Sequence, residues 1–283
     1  DIIQNDAITE HFSGRPLTYE DGDHTVCLAI GHMLDMTRMV AGPARPEQRR
    51  TDDGTLIQVE RYTSWVLERP FKDLDQLASW VRQRIIDLEK RTFSPDDARL
   101  MHERIESRWA AFAENDPTGR HDPTVLVIES GVGLTEMYHT AGMDLFCMLM
   151  FEQPDLVEEW LEARLQAELR RVETVGDPWH IPIVLTYDDI AHKTGTLFST
   201  DWLCSVWIPR LARLVNAWHT RDALCVFHSD GNLWSVLPDL VSTGIDGLNP
   251  LEVLAGMEVA SVRKAYPRLA LTGGIDVSQL LPY

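Results

Sequence analysis

From Thr124 onward the chain alternates short apolar runs with longer amphipathic stretches, and this rhythm limits its fold more than any other feature. The runs are Thr124–Ile128, Ile181–Tyr187, Ala223–Phe227, Gly244–Leu248 and Leu269–Thr272. The longest of them hold too few residues for a helix and lack polar alternation, which predicts strands buried on both faces. Between them apolar residues recur at three- and four-residue spacing, predicting helices over 133–150, 154–175, 199–219, 233–241 and 255–265. Pro154 suits a first helical turn, Ser199 suits a cap, and Asp276 suits the cap of a further helix. Strands separated by single helices predict βαβ units on a parallel sheet. The expected architecture is a TIM (β/α)8 barrel, with a doubly wound sheet as the alternative.

The first third is less regular. A helix is predicted over Asp23–Leu34 and a strand over Met36–Val40. The alternation of Thr55–Val66 around Asp52-Asp53-Gly54 predicts a β-hairpin inserted over the barrel end. Helices are predicted over 73–90 and 95–113, and in all five to seven of eight barrel strands can be counted. The chain opens on Asp1 and stops just after the helix expected at Val277, so parts of both barrel ends are expected to lie outside it. No linker, repeat or low-complexity tract divides the chain, and 1–283 is read as a single barrel domain.

A formal net charge of −18 argues against nucleic acid and anionic membranes as partners, because neither would be attracted to this surface. There is no 18-residue apolar segment and no basic-then-apolar leader. Cys27, Cys147, Cys204 and Cys225 stand apart among apolar residues, as reduced core cysteines do, so a cytoplasmic protein is expected.

In a parallel barrel the chemistry sits where strands end. Those ends carry Glu129; Tyr187, Asp188 and Asp189; His228 and Asp230; Asn249 and Glu252; and Asp276. The aspartates also suit plain helix caps or turns. His228-Ser-Asp-Gly-Asn232 is the most informative segment, since an imidazole, a carboxylate two residues on and a turn-permitting glycine can present two ligands together. His228 could ligate a metal, carry a proton or bind substrate; the plain alternative is a histidine satisfied by its own turn. Tyr138 and His139 lie where a loop passes into a helix, from which either ring could reach the barrel mouth. The cations Arg38, Lys193 and Arg263 are dispersed, and no arginine cluster is visible at the strand ends.

These segments resemble the uroporphyrinogen decarboxylase superfamily. The resemblance is carried by Phe227-His-Ser-Asp-Gly-Asn232, Gly244-Ile-Asp-Gly-Leu-Asn-Pro-Leu-Glu252, Ala255-Gly-Met257, Leu269-Ala-Leu-Thr-Gly-Gly-Ile-Asp276, Asp188-Asp-Ile with Lys193-Thr-Gly-Thr-Leu-Phe198, and Gly131 to Met143. It spans about 125–280 and implies a TIM barrel. One branch of that superfamily decarboxylates a tetrapyrrole without a cofactor; its arginine-rich N-terminal motif is not visible here. The other moves methyl groups between corrinoid proteins and small molecules, with zinc on a His-x-Cys pair and a later Cys. Here that pair reads His228-Ser-Asp230, which implies a harder site than thiolate zinc, suited to oxygen substrates such as methoxy ethers.

The resemblance therefore implies a methyltransferase working to or from a corrinoid, as substrate or on a partner protein, with zinc or another metal at His228 and Asp230. His228, Asp230, Tyr187 and Asp188 are the expected catalytic residues. Glu129, Tyr138, His139, Asn249, Glu252 and Asp276 are the expected substrate-binding residues. A tetrapyrrole decarboxylase, that is a lyase, is the alternative, and a non-catalytic tetrapyrrole-binding barrel a third reading. A small-molecule methyl donor or acceptor completes the expected partners, and a homodimer is among the expected assemblies.

Overall fold

The computed structural model describes residues 4–38, 41–114 and 124–275. The chain divides into two compact units, Asp1–Gln76 with Pro95–Ile128, and Leu77–Ser94 with Glu129–Tyr283. In chain order the elements before the central sheet are α1 (Asp6–Ser13), α2 (Gly22–Met33), β1 (Met36–Arg38), β2 (Glu47–Arg50), β3 (Leu56–Val59), β4 (Ser64–Glu68), α3 (Leu74–Lys90) and α4 (Pro95–Ala113). β5 (Val125–Ser130) follows, then α5 (Leu134–Ala141), α6 (Met143–Glu152), α7 (Pro154–Val175) and β6 (Ile183–Tyr187). Next come a small ribbon of β7 (Ala191–His192) and β8 (Gly195–Thr196), α8 (Thr200–Trp202), a π-turn at Leu203–Trp207, and α9 (Ile208–His219). The last elements are β9 (Leu224–His228), α10 (Leu237–Ser242), β10 (Gly247–Leu251), a 3₁₀ turn at Val253–Ala255, α11 (Val259–Ala265) and β11 (Ala270–Gly273).

In the first unit α1 packs on α2, and α2 packs on α4. Asn5 caps α1 by accepting from the Ile8 N–H at 3.1 Å. The hairpin expected over Thr55–Val66 is part of a three-stranded antiparallel sheet, β2-β3-β4. The expectation missed β2 because Glu47–Arg50 is fully exposed and carries no apolar alternation. The Asp53 carboxylate accepts from the Thr55 N–H and closes the β2–β3 turn.

The main sheet has six strands in the order β1-β5-β6-β9-β10-β11, and every register defined within it is parallel. This is the sequential order of a barrel, but six strands do not make the closed eight-stranded barrel that the rhythm predicted. Among the described residues of the first third, apolar residues go into helix pairs and the antiparallel sheet, which leaves β1 as the one parallel strand there.

The second unit follows the rhythm with corrections, among them the late starts of α10 at Leu237 and α11 at Val259 against the expected 233 and 255. The helix expected over 133–150 breaks at Gly142, whose φ of +84° ends α5 and starts α6. Ser199 precedes α8, but its side chain makes no capping bond there. The strand expected at Gly244–Leu248 begins three residues later, because Gly244, Ile245 and Asp246 form the approach to β10, fixed by the Asp246 N–H on the Cys225 carbonyl. Asp276 lies outside the described residues.

Large side chains fill the space between this sheet and its helices. Trp207, at the end of the π-turn, packs on Phe227 of β9, and Trp218 of α9 donates its indole N–H to Ser130 Oγ at 2.8 Å. Trp160, Trp207 and Trp218 are buried, as a core role requires, whereas Trp65 and Trp179 are exposed. Among the described residues no helix is long and apolar enough to cross a membrane.

Candidate active and metal site

Three parallel strands bring one polar residue each to the same level. Tyr187 stands opposite His228 in the β6–β9 register, and His228 stands opposite Asn249 in β9–β10. Side chains alternate along a strand. Phe227 turns to the helix layer, so His228 faces the other way, where its ring lies 5.0 Å from that of Tyr187.

Asn249 sets the state of the imidazole. Its amide nitrogen donates to Thr272 Oγ1 of β11, which leaves its Oδ1 facing His228 Nδ1 at 2.6 Å. That ring nitrogen therefore carries a hydrogen, so in the neutral imidazole Nε2 is the nitrogen with the lone pair. Asp189 Oδ1 lies 3.8 Å from Nε2. Asp189 is itself held in place: the Tyr187 hydroxyl donates to its Oδ2 at 2.9 Å and the Asp230 N–H to its Oδ1 at 3.1 Å. Asp189, His228 and Asp230 each offer a ligand atom within 4.8 Å of the other two. The sequence places Asp189 among the strand-end carboxylates with a cap or turn as its plain alternative, because adjacency to the β6 exit cannot tell which way a carboxylate turns.

The turn after His228 has little room. The Gly231 N–H donates to Glu252 Oε2 at 2.8 Å, so Glu252 braces this turn. Gly231 has φ +90°, and a Cβ there would stand 2.6 Å from the His192 backbone nitrogen. Gly231→Ala is therefore expected to lower stability by about 1–3 kcal/mol through backbone strain and to displace Asp230. Urea unfolding would measure it, and an unchanged midpoint would contradict this account.

Other expected residues lie apart from this cluster. Asp188 is buried and accepts from the Gly133 N–H at 3.0 Å, the Thr135 N–H at 2.8 Å and the Trp207 indole at 3.2 Å. Burial pushes its carboxyl up to about 6, against the opposing pull of those donors. Its oxygens thus tie the β5–α5 loop to the helix layer. Tyr138 is buried beside Phe146 and Phe198, and its hydroxyl donates to the Asp189 carbonyl at 3.1 Å. The structure places that ring in the core, where burial pushes the phenol up to about 12, and not at the mouth.

Glu129, His139, Tyr187 and Asp188 line a cavity of about 430 Å³ beside the ends of β5 and β6. Arg91, Arg164 and Arg171 line it too, which corrects the expectation of no arginine cluster at the strand ends. Arg164 pairs with Glu136 and Arg171 with Glu168, so these charges are largely offset. Arg164, Glu168 and Arg171 recur at spacings of four and three on α7, a face-forming pattern that could have revealed them. Tyr187 is common to both, since the residue lines the cavity and its ring lies against His228 in the cluster.

No protein-family model matches this chain, and no curated protein matches it. Three solved chains do. One is a methyltransferase from Methanosarcina mazei, with a TM-score of 0.61 and 16% sequence identity, over 96% of this chain and 76% of that one. At this identity the likeness is one of fold.

Proposed function

We propose that this chain is a methyltransferase that moves a methyl group to or from a corrinoid, with a divalent metal held by His228, Asp189 and Asp230. The observation that carries the reading is the three-donor cluster, with the His228 lone pair aimed by Asn249 toward two carboxylates. The fold likeness to a protein described as a methyltransferase supports it.

The donor set fits a metal. A neutral imidazole with its other nitrogen bonded to an amide oxygen is the usual state of a ligating histidine. Two carboxylates and one imidazole, with no sulfur in the group, suit a borderline-to-hard cation and include zinc within their range. Such an ion would supply Lewis acidity toward an oxygen or sulfur of the methyl donor or acceptor.

The chain's own residues do the rest. Tyr187 and the Asp230 N–H orient Asp189, and Asn249 and Thr272 hold the imidazole. The adjoining cavity, of about 430 Å³, is large enough for a small methyl donor or acceptor. The corrinoid arrives as a free cofactor or on a partner protein.

Methylcobalamin offered with a thiol or phenol acceptor is expected to lose its methyl group faster than in buffer, followed by the visible spectrum of the corrinoid. No reaction with either acceptor would count against the proposal. The arginines of the cavity keep tetrapyrrole decarboxylation as a second reading, because guanidinium groups recognise carboxylates. Incubation with uroporphyrinogen decides between them: coproporphyrinogen formed above the buffer rate would make decarboxylation primary.

A further inference from the structure

The start of β9 carries a second set of donors. Cys225 is the second residue of that strand and His228 the last, so the two lie about 10 Å apart at ~3.3 Å per residue. His219 closes α9, and Asp246 immediately precedes β10. Asp246 is clamped to Cys225 from both sides: its N–H donates to the Cys225 carbonyl at 2.8 Å, and its Oδ2 accepts the Cys225 N–H at 2.8 Å. The same Oδ2 lies 2.9 Å from His219 Nε2. Sulfur, imidazole nitrogen and carboxylate oxygen all fall within 4.8 Å of one another.

We propose that His219, Cys225 and Asp246 bind a zinc-type divalent ion at the end of β9 opposite His228. A thiolate, an imidazole and a carboxylate form a borderline donor set of the kind zinc takes. Around a tetrahedral ion, neighbouring ligand atoms stand on the order of 3.5 Å apart. The His219–Asp246 pair has only to open slightly, and the sulfur, within 4.8 Å of both, to close in by at most about 1.3 Å.

The Cys225 sulfur is buried, while the side chains of His219 and Asp246 are 38% and 34% exposed and a cavity of about 440 Å³ reaches Asp246, so an ion would enter from the His219–Asp246 side.

The charges balance. Burial pushes the Cys225 thiol up to about 12, so without metal it stays protonated at neutral pH. Metal binding releases that proton and moves the imidazole hydrogen to Nδ1, leaving the ring neutral. The doubly charged ion then faces one thiolate and one carboxylate, and the apparent affinity rises with pH because the thiol proton must leave. The N-terminal end of parallel strands is where stability is built, whereas chemistry sits at the opposite end. The site is therefore a structural one, independent of the methyltransferase reading.

Cobalt(II) added to the chelator-treated full chain tests it, because a thiolate ligand gives a near-ultraviolet charge-transfer band. The Asp189, His228 and Asp230 cluster has no sulfur and cannot produce that band. One equivalent of cobalt is expected to develop it in the wild type and in His228→Ala. Cys225→Ser should abolish it, and His219→Ala, at an exposed position that tolerates truncation, should weaken binding at least about tenfold. Zinc should displace cobalt and raise Tm. No band in the wild type, or an equal band in Cys225→Ser, would show a hydrogen-bonded clamp without an ion and overturn the proposal. Corrinoid demethylation would be untouched by that outcome.

Discussion

The His228→Ala variant is expected to lose methylcobalamin turnover by about 10²–10⁴-fold while keeping its fold. The imidazole stands where Tyr187, Asn249 and Asp189 converge, and its Nε2 is the only nitrogen donor in that metal-competent group. Removing it leaves that group with two carboxylates and no nitrogen donor, so bound metal should fall with activity. Elemental analysis after gel filtration, run beside the turnover assay and circular dichroism, separates this from unfolding. Asn249→Ala gives a graded control: with Nδ1 unheld, metal affinity or activity should drop about 10–100-fold. Wild-type turnover in His228→Ala would make this histidine a turn residue and remove the basis of the proposed function.

The largest effect on stability is expected at Asp188. Asp188→Ala strips the partner from two backbone N–H groups and the Trp207 indole, all buried, and should lower unfolding free energy by about 3–5 kcal/mol. The pH dependence has a definite sign. Burial raises the folded carboxyl from 3.8 to about 6, so between these values the native state binds more protons than the unfolded chain. The stability contributed by the protonated group is complete below about pH 4 and is lost as pH rises through 6, a change of about 3 kcal/mol for this group. Urea unfolding at several pH values should show that decline in the wild type and not in Asp188→Asn, whose amide does not titrate. Equal slopes for the two proteins would show that the three donors, and not burial, set this carboxyl.

Much of the second unit was legible because its strands are continuous apolar runs. Ile183–Tyr187 and Leu224–His228 fall within one or two residues of expectation, and Pro154–Val175 matches its helix. Reading failed where one residue type serves two purposes. Gly244-Ile-Asp looked like the start of a strand, but Asp246 is the clamp before it, and β2 is too exposed to show a pattern. At the site, His228 and Asp230 stood out from their local sequence. Asp188 was expected among the catalytic residues and Asp189 was not, yet Asp188 is locked in the core by three donors and Asp189 is turned toward the imidazole, a difference of one residue across a strand end.

By itself the sequence determined the parallel strand–helix order of the second unit, because burial on two faces demands continuous apolar strands and one-sided helices. It also determined that an imidazole and a carboxylate leave β9 together. Only the tertiary structure decided that Tyr187, His228 and Asn249 share one level, because inter-strand register is a matter of hydrogen bonding between segments far apart in the chain. That register lets Asn249 fix the His228 tautomer and brings Asp189 within reach of its lone pair, relations no local pattern encodes.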